Sequence, residues 1–335
     1  MTERWTDSPR AGYVEVVDRF KRGETEQARA LLFQLSADLV AATEAYWAEG
    51  RRQAAAGDHF GALESFGQVV ERLRDNPLQI ALPVQPAACY GAIAGVLRAL
   101  DQPLAVGVAM TLATRGTDGF YRPAPSCQIP ILGGLLEALF GARDDGVFVE
   151  VGAFDGDTFS NTSCLADLGW RGLYVEPVDR LFEACRARHA GNPGISVLNA
   201  AIGATAGTLQ IWDQGAYSRN APEPLLAGAT TMPARALEVR QVRLDTALTE
   251  AGIAPGFDLL VVDVEGMEEA VFASFELGHW RPRNLIVELM DPRPAAPADT
   301  DEVAAGRRLR ETLRRAGYAT VYRDHCNTVF QDGAA

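Results

Sequence analysis

A glutamate near the end of a short apolar run and two glycines that follow the run have a spacing typical of a cofactor-binding loop. Glu150, Gly152 and Gly156 form the pattern E-x-G-x-x-x-G, which differs from the G-x-G-x-x-G of dinucleotide-binding proteins. Glycine allows the backbone to approach a bound cofactor closely, because there is no side chain to collide with it. We predict that this loop, including Ala153 and Asp155, lines a cofactor, and the spacing argues against a nicotinamide dehydrogenase.

Polar residues follow two further apolar runs. Glu176 follows the second run, where a carboxylate can accept hydrogen bonds from both hydroxyls of a ribose. The third run, 195–198, leads into Asn199, Ala201 and Ile202. The two aliphatic side chains are predicted to wall an adenine, and Asn199 or nearby backbone to bond its edge.

Two carboxylates follow the apolar run 258–262. We predict that Asp263 removes the proton of an acceptor hydroxyl or orients that hydroxyl. The alternative for Asp263 is that it only bonds the loop backbone or the cofactor. Glu265 has the same possible role, but its place near Gly266, before a helix, gives it a structural explanation as well.

The elements that must position these residues are strands with helices and loops between them. Apolar runs predict strands at 147–151, 172–175, 195–198, 258–262 and 284–289, with the candidate residues at one edge of a parallel sheet. A helix is predicted from near Thr158. We predict a loop over the acceptor pocket at 214–240, with disorder as the alternative. His59 and His189 lie in polar surroundings and are predicted to face solvent.

The first part of the chain has apolar residues at helical spacing. A shift of about 34 residues superposes Gly23 on Gly57 and Ala28 on Ala62, which suggests two helix-turn-helix units with the glycines at the turns. A third, fainter copy would have Gly91 in register. These units resemble tetratricopeptide repeats. A helical segment of this kind would dock a protein partner, cap the neighbouring site or self-associate.

Domain organisation follows from these patterns. We predict an all-helical repeat domain at 1–115, a linker rich in glycine and proline at 116–130, and an α/β domain at 131–335.

Charge and cysteine usage exclude several classes of partner. The formal net charge of -13 opposes binding to nucleic acid or to an anionic membrane surface. Five scattered cysteines without a CxxC pair favour reduced thiols. We also find no signal peptide and no membrane-spanning apolar run, so the sequence predicts a cytoplasmic protein without a membrane partner.

Four segments together resemble the FkbM-type methyltransferase family: VFVEVGAFDGDTFSNT, GWRGLYVEP, NAAIG and DLLVVDVEGMEEAVF. The resemblance covers roughly the last 190 residues. It implies a Rossmann-like fold, dependence on S-adenosylmethionine and O-methylation of sugars, glycans or other hydroxyl compounds such as secondary metabolites. It also implies that Gly152, Asp155 and Gly156 line the methionine and ribose, that Glu176 binds the ribose, and that Asp263 and Glu265 face the transfer region.

Two alternatives accompany this resemblance. Some related methyltransferases hold magnesium between carboxylates at the ends of the fourth and fifth strands, where Asp263 and Glu288 stand here. Glu288 is better explained as a residue of its strand, so we predict no metal. The rival from another class is a non-catalytic scaffold or sensor whose repeat domain docks a protein partner, although intact Gly152, Gly156 and Glu176 argue against degeneracy.

Overall fold

A computed structural model of the chain describes residues 9–77, 79–213, 235–292 and 300–334. The chain divides into two compact units, one of Met1–Gly119 with Pro125–Leu135 and the other of Phe120–Ala124 with Leu136–Ala335. The predicted boundaries at 115 and 130 stay a prediction. No helix within the described ranges is long and apolar enough to cross a membrane.

The first unit is helical, as predicted. Its helices are α1 (Pro9–Lys21), α2 (Thr25–Ala55), α3 (His59–Arg74), α4 (Pro86–Ala99) and α5 (Pro103–Arg115). Helix starts follow from local chemistry: the Asp58 carboxylate accepts a hydrogen bond from the Gly61 amide at 3.0 Å, and prolines stand at the first position of α4 and α5.

The repeat prediction holds at its turns and fails between its units. Gly23 and Gly57 both adopt a φ of +81°, which a residue with a side chain rarely does, so each glycine does mark a turn. The single helix α2 runs unbroken from one turn to the other, because no glycine or proline that would end it occurs before Gly50. Gly91 lies inside α4, so the third copy is out of register. The tetratricopeptide resemblance therefore stays a prediction.

The second unit is α/β. Its strands are β1 (Val147–Val151), β2 (Arg171–Val175), β3 (Ile195–Leu198), β4 (Ala201–Ile202), β5 (Gly207–Asp213), β6 (Arg235–Val242), β7 (Leu259–Val262), β8 (Asn284–Glu288), β9 (Tyr318–Arg323) and β10 (Asn327–Asp332). Helix α6 (Leu132–Phe140) precedes β1, and the later helices are α7 (Ser163–Asp167), α8 (Asp179–Arg188), α9 (Leu244–Glu250), α10 (Glu268–Phe272), α11 (Leu277–Trp280) and α12 (Asp301–Arg315).

Seven strands form one sheet in the order β3-β2-β1-β7-β8-β10-β9. The first five are parallel, and β10 runs antiparallel to both of its neighbours. The chain builds outward from β1 to β3 and then continues on the other side with β7 and β8, so the strand order reverses between β1 and β7. This is the Rossmann-like fold that the sequence predicts, and a ligand crevice is expected at the carboxyl edge of that reversal. Strands β4, β6 and β5 form a second, smaller sheet.

Burial explains why the predicted strands were readable. The side chains of β7 are buried throughout, and those of β1 and β2 are buried except at their first residues, which is why these strands read as continuous apolar runs.

Two local predictions were wrong in part. No helix begins near Thr158; α7 begins at Ser163, because the Asp155 and Glu150 carboxylates hold the intervening residues in a loop. Residues 235–240 of the predicted pocket loop belong to β6, and residues 214–234 lie outside the described part of the chain.

Candidate functional site

The loops that follow β1 and β7 meet where the strand order reverses. Gly152 stands directly after β1 with a φ of +90°, and a Cβ atom there would collide with the Asp263 carbonyl oxygen. The Asp263 amide donates to the Val151 carbonyl oxygen at 3.0 Å, which extends the pairing of the two strands by one residue. Gly152 is therefore required by the close approach of these two backbones, whatever the cofactor demands.

The second glycine of the motif packs against α8. A Cβ atom on Gly156 would stand 2.7 Å from the Cys185 sulfur and 2.9 Å from the His189 Nε2. The His189 ring also lies within 3.0 Å of the Gly156 carbonyl oxygen through Nε2 and stacks on Tyr174 at 4.6 Å between centroids. The prediction that His189 faces solvent was wrong, because its ring is buried and holds the glycine loop; burial also lowers its pKa.

Glu150 is buried under the loop and binds it. Its carboxylate accepts hydrogen bonds from the hydroxyls of Ser160 (2.9 Å) and Thr162 (2.5 Å) and from the Asn161 amide (3.1 Å). Burial raises the pKa of Glu150 to about 7, although these donors favour the ionised form. The described contacts of Glu150 are with the chain, so its predicted role as a cofactor contact stays a prediction and its observed role is to shape the loop.

Glu176 ends β2 and faces the same loop. One of its carboxylate oxygens accepts from the Phe154 amide and the other from the Val178 amide, each at 2.9 Å. A carboxylate oxygen has two acceptor positions, so each oxygen retains one for a ribose hydroxyl. Burial raises the pKa of Glu176 to about 7. The carboxylate is thus fixed in place with capacity for the predicted ligand.

Asp155 is engaged within its own loop. Its carboxylate accepts from the amides of Asp157 (3.0 Å) and Thr158 (2.7 Å) and from the Thr158 hydroxyl (2.7 Å). This arrangement closes a turn of the kind that aspartate favours. Its predicted contact with the methionine and ribose stays a prediction.

The residues predicted to surround the adenine follow β3. The Asn199 amide group donates to the Glu176 carbonyl oxygen at 3.4 Å, which places it beside the end of β2. Ala201 and Ile202 form the short strand β4, and both are buried. Ala201 packs in a small apolar cluster with Val178, next to which Phe154 of the glycine loop lies.

Three carboxylates converge beyond β7 and β8. Oxygen atoms of Asp263, Glu265 and Glu288 lie within 4.8 Å of one another, and all three residues are half-buried. The Asp263 and Glu288 carboxyl groups lie close enough for the charge of Asp263 to disfavour ionisation of Glu288. Burial raises the pKa of Asp263; burial and then the charge of Asp263 raise that of Glu288 well above its ordinary value. The cluster is therefore a place where protons are held tightly.

Glu265 occupies a strained backbone position, and Glu268 closes the turn around it. Glu265 has a φ of +53°, unusual for a residue with a long side chain. The Glu268 carboxylate accepts from the Val264 amide (3.3 Å) and the Gly266 amide (3.1 Å). Strain of this kind persists where surrounding contacts impose it, often at functional sites. The sequence offered no signal for Glu268 beyond its acidic type at the start of a helix.

The three carboxylates are also the described group with the right chemistry for a hard divalent cation, since all of their ligand atoms are oxygen. Asp263 and Glu288 are the pair named for magnesium from the sequence. A second group, Asp324, His325 and Cys326, has mixed ligands, and the Asp324 carboxylate already accepts from the Tyr322 hydroxyl and the amides of Cys326 and Asn327. The absence of a metal stays a prediction.

Comparisons with solved structures give distant likenesses. Fibrillarin from Aeropyrum pernix, solved with bound S-adenosyl-L-methionine, has 14% identity over 58% of this chain and 71% of that chain, with a TM-score of 0.31. A putative O-methyltransferase from Klebsiella pneumoniae has 13% identity over 60% of this chain and 77% of that chain, with a TM-score of 0.32. The CurJ carbon methyltransferase has 10% identity over 89% of this chain and 97% of that chain, with a TM-score of 0.32. No curated protein matches the sequence.

The sequence profile of the methyltransferase FkbM domain matches residues 150–319, which is half of the chain. The match begins at Glu150 and includes Glu176, Asp263 and Glu288, so it spans the residues that the structure brings to the carboxyl edge of the sheet. The chain therefore belongs to the FkbM family of S-adenosylmethionine-dependent methyltransferases.

Proposed function

We propose that this methyltransferase acts on oxygen, and that its acceptor is a hydroxyl group of a sugar, a glycan or a secondary metabolite. The observation that carries the proposal is the group of Asp263, Glu265 and Glu288 beside the glycine loop. A hydroxyl oxygen is a weak nucleophile until its proton is removed, so its methylation needs a base close to the transferred methyl group. Carboxylates with raised pKa values supply such a base.

Bound S-adenosylmethionine supplies an electrophilic methyl group on a sulfonium. With the cofactor held by Glu176 and the glycine loop, the acceptor oxygen would take the methyl group, and the electron pair of the broken carbon–sulfur bond would stay on sulfur. Asp263 takes the proton of the hydroxyl. Placement of the reacting atoms in line contributes most of the rate, which suits a site with few reactive side chains.

Asp263 is the preferred base because of its position. Its backbone meets Gly152 at the strand reversal, so its side chain starts at the point where the cofactor loop and the fourth parallel strand converge. Glu288 lies beside it in the same group of carboxylates, where burial and then the charge of Asp263 raise the pKa of Glu288. Glu265 is the second candidate, held at the same edge by its strained turn.

Cofactor binding rests on Glu176 and the glycine loop. Glu176 retains acceptor capacity on both carboxylate oxygens, which suits the two ribose hydroxyls. Asn199, Ala201 and Ile202 would surround the adenine, and Ala153, Asp155 and Gly156 the remaining cofactor surface.

Cellular context is part of the proposal. All five cysteines are buried free thiols, which supports a reducing, cytoplasmic compartment. The net charge of -13 supports an acceptor that is neither nucleic acid nor membrane lipid. The helical unit is proposed to contact a protein partner or a second copy of the chain.

The first test is calorimetric binding of S-adenosylmethionine and its demethylated product to the wild type and to Glu176→Ala. We expect binding by the wild type and a loss of about tenfold or more in the variant, because buried hydrogen bonds to a charged group disappear. Arg186→Gln, on the exposed side of α8, is a control that should bind normally. Lack of binding by the wild type would favour the scaffold or sensor instead.

The second test identifies the atom that is methylated. With carbon-13 in the transferred methyl group, the NMR shift of the product distinguishes O-methyl from N-methyl and C-methyl. An O-methyl product from a panel of sugars, glycans and hydroxylated metabolites is expected. A C-methyl or N-methyl product would overturn the proposed acceptor while leaving the methyltransferase assignment intact.

A further inference from the structure

A pocket lies at the amino edge of the sheet, opposite the carboxylates. Its cavity has a volume of about 280 Å³ and lies beside the starts of β1, β2, β7 and β8. Its lining includes Arg143, Arg171, Arg283 and Asp258, with Ile253 and Pro255 as apolar neighbours. Methyl transfer uses the other edge, so this pocket is outside the machinery described above.

The charge of the pocket is opposite to that of the chain. Three guanidinium groups face one carboxylate, which leaves a net charge of +2 among the lining side chains of a chain with a net charge of -13. Asp258 is held in place by the Val147 amide at 2.9 Å and by Arg143 at 3.1 Å. It therefore offsets Arg143 and Arg283 in part, and Asp145, which is outside the lining, also pairs with Arg143 at 3.2 Å.

Two of the arginines are positioned and the third is available. The Arg143 Nε donates to the Asp145 carbonyl oxygen at 2.6 Å, and its guanidinium lies 5.0 Å from the centre of the Trp170 ring. Arg283 approaches Asp258 at 3.5 Å. Arg171 is exposed, and although its backbone amide donates to the Gly146 carbonyl oxygen, its guanidinium has no hydrogen bond or ion pair to any described residue. Preorganised guanidinium groups bind phosphate through parallel hydrogen bonds.

We propose that this amino-edge pocket binds a phosphate monoester of a small molecule. The phosphoryl group, with about -1.5 to -2 charges at neutral pH, is opposite in charge to Arg171 and Arg283 of the lining. Arg171 and Arg283 hold its oxygens, and the organic part lies against Ile253 and Pro255. The cavity volume is at the lower end of the range for small-molecule sites, which selects a compact ligand.

The test is calorimetric titration of the full chain with phenyl phosphate, inorganic phosphate and phenol. We expect saturable binding of phenyl phosphate, weaker binding of inorganic phosphate and none of phenol, because charge supplies the affinity and the ring adds apolar contact. Equal binding of inorganic phosphate and phenyl phosphate would overturn the ester in favour of a free phosphate site.

Variants assign the binding to this pocket. Arg171→Gln should weaken binding of phenyl phosphate by at least about tenfold, the loss expected for charge-assisted hydrogen bonds. Arg186→Gln removes the same charge from α8, outside the pocket lining, and should leave binding unchanged. Asp263→Asn should also bind normally, which separates this site from the proposed base. Unchanged binding in Arg171→Gln, or no saturable binding by the wild type, would refute the proposal.

Discussion

The two edges of the seven-stranded sheet differ in how their charged side chains are arranged. At the carboxyl edge, Asp263, Glu265 and Glu288 collect like charges at short range. At the amino edge of the same strands, Asp258 is bonded by Arg143 and by a backbone amide. Gathering like charges costs stability, whereas pairing opposite charges recovers it. Under the proposed function, strand β7 carries the candidate base at its carboxyl end and paired charges at its amino end.

The largest effect should come from removing the charge at the carboxyl edge. Asp263→Asn is expected to lower the methyl-transfer rate by about 10²–10⁴-fold, the usual contribution of a general base. Folding should be preserved, since one of two like charges disappears. Turnover measured with saturating cofactor, alongside calorimetric cofactor binding, tests this. Full activity in the variant would move the base to Glu265 or exclude a protein base.

A second substitution tests the place where the loops after β1 and β7 meet. Gly152→Ala is expected to lower the free energy of unfolding by about 2–5 kcal/mol, because its φ of +90° is strained and its Cβ would collide with the Asp263 carbonyl oxygen. Gly191→Ala is the matched control, since a Cβ there has no neighbour within 4 Å. Denaturant unfolding gives both values. Equal stability of the two variants would contradict the close approach.

Stability should depend on pH through the buried acids of the cofactor loop. The folded pKa of Glu150, about 7, exceeds its ordinary value of 4.5. The folded protein thus holds this proton more tightly than the unfolded chain, so the free energy of unfolding falls as pH rises from about 4.5 to about 7, by roughly 2–3 kcal/mol at most. Urea unfolding across this range tests it. Glu150→Gln should make the profile less steep while the contribution of Glu176 remains, and an unchanged slope would assign the effect elsewhere.

Removal of a charge at the amino edge should alter the stability of the fold and not the methyl-transfer rate. Asp258→Asn is expected to lower the free energy of unfolding by about 1–3 kcal/mol, because Arg143 and Arg283 each lose a charged partner beside the sheet, while Arg143 keeps Asp145 at 3.2 Å. Thermal and urea unfolding measure the loss. A variant as stable as the wild type would show that the ion pairs of Asp258 make no net contribution to the free energy of unfolding.

The smallest effect is expected from chelation. Since no metal is predicted at Asp263 and Glu288, we expect EDTA to leave activity unchanged and added Mg²⁺ to give no stimulation. Activity assays after dialysis against chelator test this. A loss of activity that Mg²⁺ restores would show that the three carboxylates bind a cation and do not act as a base.

Five of the seven strands of the large sheet were predicted from the sequence in chain order, together with the polar residues at their carboxyl ends. Parallel strands are buried on both faces, so β1, β2 and β7 appear as apolar runs, and the first polar residue after each run marks the carboxyl edge. The E-x-G-x-x-x-G spacing and Glu176 followed from the same logic. These are local signals, because the type of each residue indicates how readily it is buried and which backbone conformations it can adopt.

Contacts between side chains that are distant in sequence could be identified only in the folded structure. Gly156 faces His189 across 33 positions, Glu150 binds the loop that follows it, and Glu288 reaches Asp263 from the next strand. The arginines of the amino-edge pocket are likewise separated by up to 140 positions. Such contacts depend on strand order and on the twist and register of the sheet, and no single segment of sequence encodes them.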